Sequence, residues 1–272
     1  MKIIINAMSA ETGGIATYTN NLAHSLFQRK VEVTFALSNE FNLEADVPII
    51  RLPAYRMRPF QRVIWEQSIW RRIVKKYKPD ILFSSANFGL LISPVPQVLL
   101  MREGGLFDPF YLTNIGSSLD TGTIFKRIAR RHLILASARS SKLILTPSEA
   151  MKNLLITWAE DLSDRIEVNR YGTVPMFFKK STKKRPWKKD GILKLLYISA
   201  YYPHKQPGMI SEATAQLNAL GIPSHLTVTM DLNQISNTKG GEKDFFMLKK
   251  GIERGHVTMA GSVPYTNLPN VY

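Results

Sequence analysis

Apolar residues recur along this chain at two alternating spacings. A short apolar run at residues 2–6 reads as a buried strand. Ile15, Tyr18, Thr19, Leu22, Ala23, Leu26 and Phe27 then follow helical spacing, and residues 31–37 return to a strand. Strand, loop, helix, strand is the opening unit of a parallel sheet with right-handed crossovers. The same pattern predicts strands at 81–84, 96–101, 142–146 and 165–169. It predicts helices at 60–77, 123–137 and about 149–158, the last with Ser148 as its N-cap. In 60–77, Phe60, Val63, Ile64, Ile73, Val74 and Tyr77 fall near one face. Arg62, Arg71, Arg72, Lys75 and Lys76 share that helix with Trp65 and Trp70.

Residues 179–190 are polar and basic and are broken by Pro186, which makes them a natural linker; a solvated tether and a lipid or nucleic-acid contact both fit. Beyond it, strands at 193–199, 225–230 and 256–260 alternate with helices at 209–220 and 242–252. Three parallel strands with one helix pair leave an open edge and an under-covered face. The chain reaches Tyr272 about where another helix should start. The expected organisation is therefore a first domain at 1–178, a basic linker at 179–190 and a partial second domain at 191–272. Strands alternating with helices make each domain an α/β doubly wound parallel sheet, with ligands at the carboxyl ends of its strands.

Composition narrows the classes. Hydrophobic content of 44% and charged content of 21% are ordinary for a globular protein that buries a core. No run of 18 apolar residues is present, and the N-terminal apolar run is too short for a signal peptide. The chain has no cysteine, which excludes disulfides, thiolate metal sites and cysteine nucleophiles and fits a cytoplasmic location. His24, His132, His204, His225 and His256 show no metal-ligand spacing. The net charge of +15 attracts anions. With no nucleic-acid-binding signature, an anionic membrane surface is the expected partner rather than nucleic acid. The mixture of aromatic and basic residues at 56–78 supports that expectation, although a packed helix with solvated charges accounts for it too.

Two loops can carry chemistry. Gly13 and Gly14 follow the first strand and open a helix, where the backbone can approach a ligand and free N–H groups favour a phosphate. The pattern is not G-x-G-x-x-G, so the dinucleotide fingerprint fails, and a tight strand–helix turn also explains the glycines. The second loop, residues 199–207, leaves the first strand of the second domain. There Lys205 can set its ammonium against a diphosphate where the helix dipole also draws negative charge, with His204 beside it. Solvated surface is the competing account of Lys205, and it loses weight if the two loops face each other across a cleft. Asn87, after a strand end, can touch a ligand or simply form a turn.

The order of several short stretches resembles family 4 glycosyltransferases of GT-B fold. These are Gly13-Gly14-Ile15 with Tyr18 and Asn21-Leu22; Trp65-Glu66-Gln67; Thr146-Pro147-Ser148 with Met151; Tyr171-Gly172 with Phe177; residues 197–205; and Gly261-Ser262-Val263-Pro264 with Leu268 and Tyr272. The resemblance implies two Rossmann-like doubly wound parallel-sheet domains, the second incomplete, with acceptor on the first and nucleotide sugar on the second. It implies retaining transfer of a sugar from a nucleotide-diphosphate-sugar to a glycan or lipid-linked acceptor, in surface polysaccharide synthesis. The donor is a substrate, and no cofactor or metal is implied. By the same resemblance Gly13 and Gly14 lie near the donor diphosphate and reacting sugar, and Lys205 neutralises the leaving diphosphate. Gly261 and Val263 lie near the base.

Three departures stand out. Ser199 and Ala200 stand where the family's arginine precedes its phosphate lysine, which makes Ser199 a donor-side candidate together with His204. Arg102 and Glu103 stand in the loop where the family often has a histidine. They are the candidates for binding the acceptor or polarising the site, and a loop salt bridge is the competing account. The family's glutamate-containing C-terminal motif would lie beyond Tyr272, so a truncated, non-catalytic remnant that binds acceptor or nucleotide is the alternative function. A nucleic-acid-binding protein rests on charge alone. The expected location is cytoplasmic, with peripheral attachment at the inner face of the membrane.

Overall fold

The structure is a computed structural model. It describes the chain except residues 12, 54–56, 111–120, 173–189, 265–266, 269–270 and 272. Nearly all of the expected linker at 179–190, together with Phe177 and Tyr272, lies outside the described residues. The chain forms two compact units, Met1–Gly172 and Thr173–Tyr272.

The first unit is built on a seven-stranded parallel sheet of order β3-β2-β1-β4-β5-β6-β7. Its strands are β1 (Ile3–Asn6), β2 (Val33–Ser38), β3 (Ile49–Leu52), β4 (Ile81–Ser84), β5 (Gln97–Leu100), β6 (Leu143–Thr146) and β7 (Ile166–Val168). Ile4 pairs with Thr34 on one side and Leu82 on the other, so β1 is central. Successive side chains face opposite layers. Ile4, Ala36 and Leu82 join one buried cluster with Trp70 and Val74. Ile5, Phe35 and Leu37 join another with Ala23 and Leu22 of α1 (Gly13–Gln28). Burial on both faces is why these strands read as near-continuous apolar runs. A third cluster packs α4 (Thr121–Arg139) and α5 (Glu149–Trp158) on β5 to β7 through Ile134, Leu135, Met151 and Leu155. Ser148 caps α5 by accepting the Met151 N–H at 3.2 Å.

The expected helix at 60–77 is resolved into α2 (Pro59–Trp65), a π turn (Glu66–Trp70) and α3 (Arg71–Tyr77). Phe60 and Ile64, assigned by spacing to the apolar face, are 75% and 54% exposed. Glu66 and Trp70 are buried in their place, together with Val74, which the spacing also assigns to the apolar face. A π turn takes more residues than an α turn, so a constant 3.6-residue template loses phase across it. The edge strand β3 has no counterpart in the predicted elements; of its four residues only Leu52 is buried, and Arg51 is exposed. It is held by its ladder to β2 and by Arg51, whose Nη1 donates to the carbonyls of Ser38 and Phe41.

The second unit holds a three-stranded parallel sheet of order β10-β9-β8, from β8 (Leu193–Tyr197), β9 (Ser224–Val228) and β10 (Val257–Met259). The helices are α6 (Pro207–Ala219), the short α7 (Leu232–Ser236) and α8 (Glu242–Glu253). Leu195, Tyr197, Leu226, Val228, Val257 and Met259 form the apolar side of the sheet with Leu248. Lys194, Leu196, His225, Thr227 and Thr258 alternate to the other side, none of them buried, with His225 Nε2 2.8 Å from Thr258 Oγ1. Small residues let α6 and α8 approach closely. A Cβ on Gly208 would stand 2.8 Å from Asp244 Oδ1, and one on Gly251 would stand 2.5 Å from Ser211 Oγ.

The π turn makes a stability prediction. Trp70→Ala should destabilise the first unit by about 3–5 kcal/mol, whereas Phe60→Ala should change stability by less than about 0.5 kcal/mol. Urea unfolding followed by circular dichroism checks both. A larger loss from Phe60 than from Trp70 would restore the uninterrupted helical phase.

Candidate functional sites at the carboxyl edge of each sheet

The winding of the first unit reverses at β1: β2 and β3 lie to one side and β4 to β7 to the other. Such a reversal opens a crevice beyond the strand ends, where α/β sheets bind ligands. The loop after β1 enters that crevice. Ala7 N–H extends the ladder to the Ala36 carbonyl at 2.9 Å, and Ala10 N–H closes a turn on the Ala7 carbonyl at 2.9 Å. Gly13 then takes φ +65°, which favours glycine, and a Cβ on Gly13 or Gly14 would meet nothing within 4 Å. The space over both glycines is open, and no acidic side chain sits in the first turn of α1.

A buried carboxylate underpins this loop. Glu66 is 5% exposed and receives Arg62 Nε at 2.7 Å. The same guanidinium donates through Nη2 to Ser9 Oγ at 2.8 Å, and Asn6 also bonds the Glu66 carboxyl. The Asn6 carbonyl accepts Ser85 N–H at 3.1 Å and Ser85 Oγ–H at 2.9 Å, which joins the ends of β1 and β4. Gln67 faces the next loop: its Nε2 donates to the Gly89 carbonyl at 3.2 Å and its Oε1 accepts Leu91 N–H at 2.8 Å. The Trp65-Glu66-Gln67 stretch thus holds two loops of the crevice. Asn6 had no sequence signal as a site residue, because Glu66 is 60 positions away, and the bond from Arg62 to Ser9 had none either, because it spans 53 positions.

Arg102 and Glu103 follow β5 and are held by Asn87. Asn87 takes φ +56°, and its Oδ1 accepts Arg102 N–H at 2.7 Å and Glu103 N–H at 3.0 Å. It is both a turn former and a clamp on the candidate pair. The two side chains have different surroundings. Glu103 Oε2 pairs with Arg130 Nη2 at 2.6 Å. Arg102 lies over the Tyr18 ring, 5.6 Å from its centroid, and Tyr18 meets Tyr171 with ring centroids 5.2 Å apart. Burial, with Tyr171 adding, pushes the Tyr18 hydroxyl up to about 12 against the opposing pull of Arg102. Burial also raises Tyr171. Both phenols are therefore neutral at physiological pH.

In the second unit, Ser199, His204 and Lys205 follow β8, and Gly261 and Val263 follow β10. All five lie in loops at the carboxyl ends of strands on either side of β9. Ser199 Oγ donates to the Ala200 carbonyl at 2.9 Å. Gly261 takes φ +71° with open space where a Cβ would go. Lys205 is exposed. Its N–H bonds the Tyr202 carbonyl at 2.8 Å and its carbonyl accepts Tyr197 Oη–H at 2.7 Å, so the loop is folded back on β8. His204 stacks on Tyr202 at 5.7 Å, and burial followed by the charge of Lys205 lowers its pKa, which keeps the imidazole neutral.

One expectation needs correction here. Lys205 does not begin a helix; it ends a short 3-10 turn, and Gln206, at φ +45°, caps α6. The positive end of α6 is already engaged. Gly208 N–H donates to the buried Asp244 at 3.0 Å, and Met209 N–H bonds the Gln206 carbonyl at 3.1 Å. Tyr201 Oη, pushed up to about 12 by burial and by Asp244, completes that carboxylate at 3.0 Å. The exposed Lys205 side chain places a positive charge beside this loop. Asp244 lies 39 positions past Lys205, in a helix whose pattern gives no hint of this contact.

Glu66 sets a pH dependence. Burial lifts its carboxyl above the ordinary range, and Arg62 opposes this only in part. A carboxyl raised in the folded state favours folding at acid pH and loses that contribution as pH climbs through the folded-state pKa. The stability of the natural chain relative to Glu66→Gln should therefore fall from about pH 4 toward neutrality. Urea unfolding at a series of pH values measures it. A difference that grows with pH would contradict the burial.

Comparison with known proteins matches this architecture. The family model described as Glycosyltransferase Family 4 covers residues 12–172. A glycosyltransferase from Rickettsia africae ESF-5 superposes with TM-score 0.60 at 12% identity, over 99% of this chain and 70% of that one. The apo form of the lipopolysaccharide outer core galactosyltransferase WaaB gives TM-score 0.58 at 12% identity, over 97% and 68%. A UDP-GlcNAc 2-epimerase from Neisseria meningitidis, bound to UDP-GlcNAc, gives 0.54 at 12% identity, over 100% and 75%. No curated protein sequence matches. These likenesses show a GT-B fold of two Rossmann-like units, and with more than half of its residues under the family model the chain belongs to glycosyltransferase family 4.

Proposed function

We propose that this protein transfers a sugar from a nucleotide-diphosphate-sugar to a glycan or lipid-linked acceptor, in surface polysaccharide synthesis. The observation that carries the donor side is the exposed Lys205 side chain beside the start of α6, where Asp244 already takes the Gly208 N–H. In the reaction the acceptor oxygen bonds to the anomeric carbon, and the bond from that carbon to the diphosphate breaks. The diphosphate keeps the electron pair, and the acceptor hydroxyl passes its proton to a leaving diphosphate oxygen. Lys205 offsets the charge that grows on the leaving diphosphate, the place where fixed electrostatic stabilisation is worth most. In this reading no metal or further cofactor takes part. Gly13 and Gly14 let the reacting sugar approach the backbone, His204 and Ser199 border the diphosphate, and Gly261 and Val263 border the base. Arg102 holds the acceptor, and Glu103, through Arg130, holds the loop that carries it.

The acceptor side works at a cytoplasmic membrane face in this reading. Among the described residues no helix is long and apolar enough to cross a membrane. Peripheral contact with an anionic surface is supported by Phe60 and Phe125, 75% and 71% exposed, and by the basic residues of α3 and α4. Nucleic acid has no part in the reading. The fold likeness to a UDP-GlcNAc-bound epimerase supports a nucleotide sugar as ligand.

Lys205→Ala should weaken the tightest-bound of UDP, GDP and ADP by about tenfold or more, the scale of one charge-assisted contact. Calorimetry measures it. Unchanged affinity would remove Lys205 from the donor site.

A further inference from the structure

Among the described residues the ion pairs formed by arginine are Arg62 with Glu66, Arg130 with Glu103 and Arg139 with Asp161. Arg102 is in none of them. Its Nη2 is buried and has no hydrogen-bond partner. A buried charged donor without an acceptor is costly, and native structures answer such groups or keep them for a ligand. The backbone around Arg102 is not free to relax the problem away. Asn87, in a left-handed conformation, holds the N–H groups of both Arg102 and Glu103. The neighbouring carboxylate cannot help, because Glu103 is committed to Arg130 at 2.6 Å.

What surrounds the guanidinium is aromatic, and the Tyr171 hydroxyl accepts one side-chain hydrogen bond from it, which leaves Nη2 as the unanswered nitrogen. Tyr18 lies beneath it, 5.6 Å from ring centroid to guanidinium carbon, and Tyr171 adjoins Tyr18 with ring centroids 5.2 Å apart. Tyr171 remains 47% exposed, so the pair opens to solvent. Tyrosine rings offer an apolar face to the C–H side of a sugar ring and a hydroxyl to its polar edge. A guanidinium fork matches the paired oxygens of a carboxylate or phosphate. Tyr18 begins from α1, Arg102 from the end of β5 and Tyr171 from the chain leaving β7, so three elements converge here above the strand ends.

We propose that Arg102, Tyr18 and Tyr171 form an oxyanion subsite, and that the acceptor is a sugar bearing a carboxylate or a phosphate that takes the unanswered Arg102 N–H. The word acceptor rests on the transfer reading above; the subsite itself does not.

The test uses the full chain and three probes: methyl glucuronide for a carboxylate, glucose 6-phosphate for a phosphate, and methyl glucoside as the neutral counterpart. Ligand-observed NMR or calorimetry gives their affinities. At least one anionic probe should bind about tenfold tighter than methyl glucoside, the scale of a charge-assisted bond. Whichever does so identifies the source of the oxyanion. Arg102→Ala should bring that preference to within about twofold, on the same scale. Lys205→Ala should leave the preference intact, which separates this subsite from the donor lysine. Arg102→Lys, which keeps the charge and loses the fork, should retain only part of the preference and serves if the alanine variant does not fold. Equal binding of all three probes, no binding by any, or an undiminished preference in both Arg102 variants overturns the proposal. Loss of nucleotide binding in Lys205→Ala with no anion preference at Arg102 sinks the subsite and spares the donor reading.

Discussion

A carboxylate taken out of water at the end of a central strand has to be answered on the spot, and Glu66 is answered by Arg62 and Asn6. That requirement organises the mouth of the first unit. Asn6 ends β1, Ser85 follows β4, and Ser9 begins the glycine loop; hydrogen bonds from this group reach all three. The crevice created by the reversal of winding would otherwise be lined by mobile connections. The π turn is part of the same device, since it turns Glu66 and Trp70 inward together. Rare helical turns of this kind recur at functional sites, and here its consequence is local and explicit.

The arginines divide the first unit into what is finished and what is waiting. Arg62 and Arg130 each meet a carboxylate, and Arg139 meets Asp161 with two hydrogen bonds, at 2.9 and 3.0 Å. Exposed pairs such as the last contribute little to stability, whereas a buried pair broken on one side costs much more. The second unit shows the same economy with its one buried acid: Asp244 takes Tyr201 and Gly208 and so occupies the start of α6. Positive charge at that loop is left to Lys205.

Much of the fold was legible because burial on both faces writes parallel strands as apolar runs. The strands at β1, β2, β4, β5, β6 and β7 and all three strands of the second unit fall where periodicity predicts them. The edge strand β3 was not legible, being an edge strand with only Leu52 buried, and the phase of 60–77 was not, because a π turn breaks the helical period. At the candidate site, residue type pointed to Arg102, Lys205 and the glycines, but not to their surroundings. Glu66 was noticed only as part of a family-like stretch, and its burial against Asn6 and Arg62 is a product of tertiary packing. Asn87 was ambiguous between a turn and a contact, and its two accepted N–H bonds make it a turn that positions a neighbour. The start of α6 was misjudged because the carboxylate that occupies it comes from another helix.

Sugar transfer is the central claim, and product analysis by NMR of a nucleotide-sugar panel, with neutral and anionic alkyl glycosides offered as acceptors, addresses it directly. The account predicts that the sugar-diphosphate anomeric signal of one donor disappears as nucleoside diphosphate and a glycoside of the same anomeric configuration form. Conversion of the donor to an epimer with its diphosphate linkage intact, or no consumption of any donor, would contradict it.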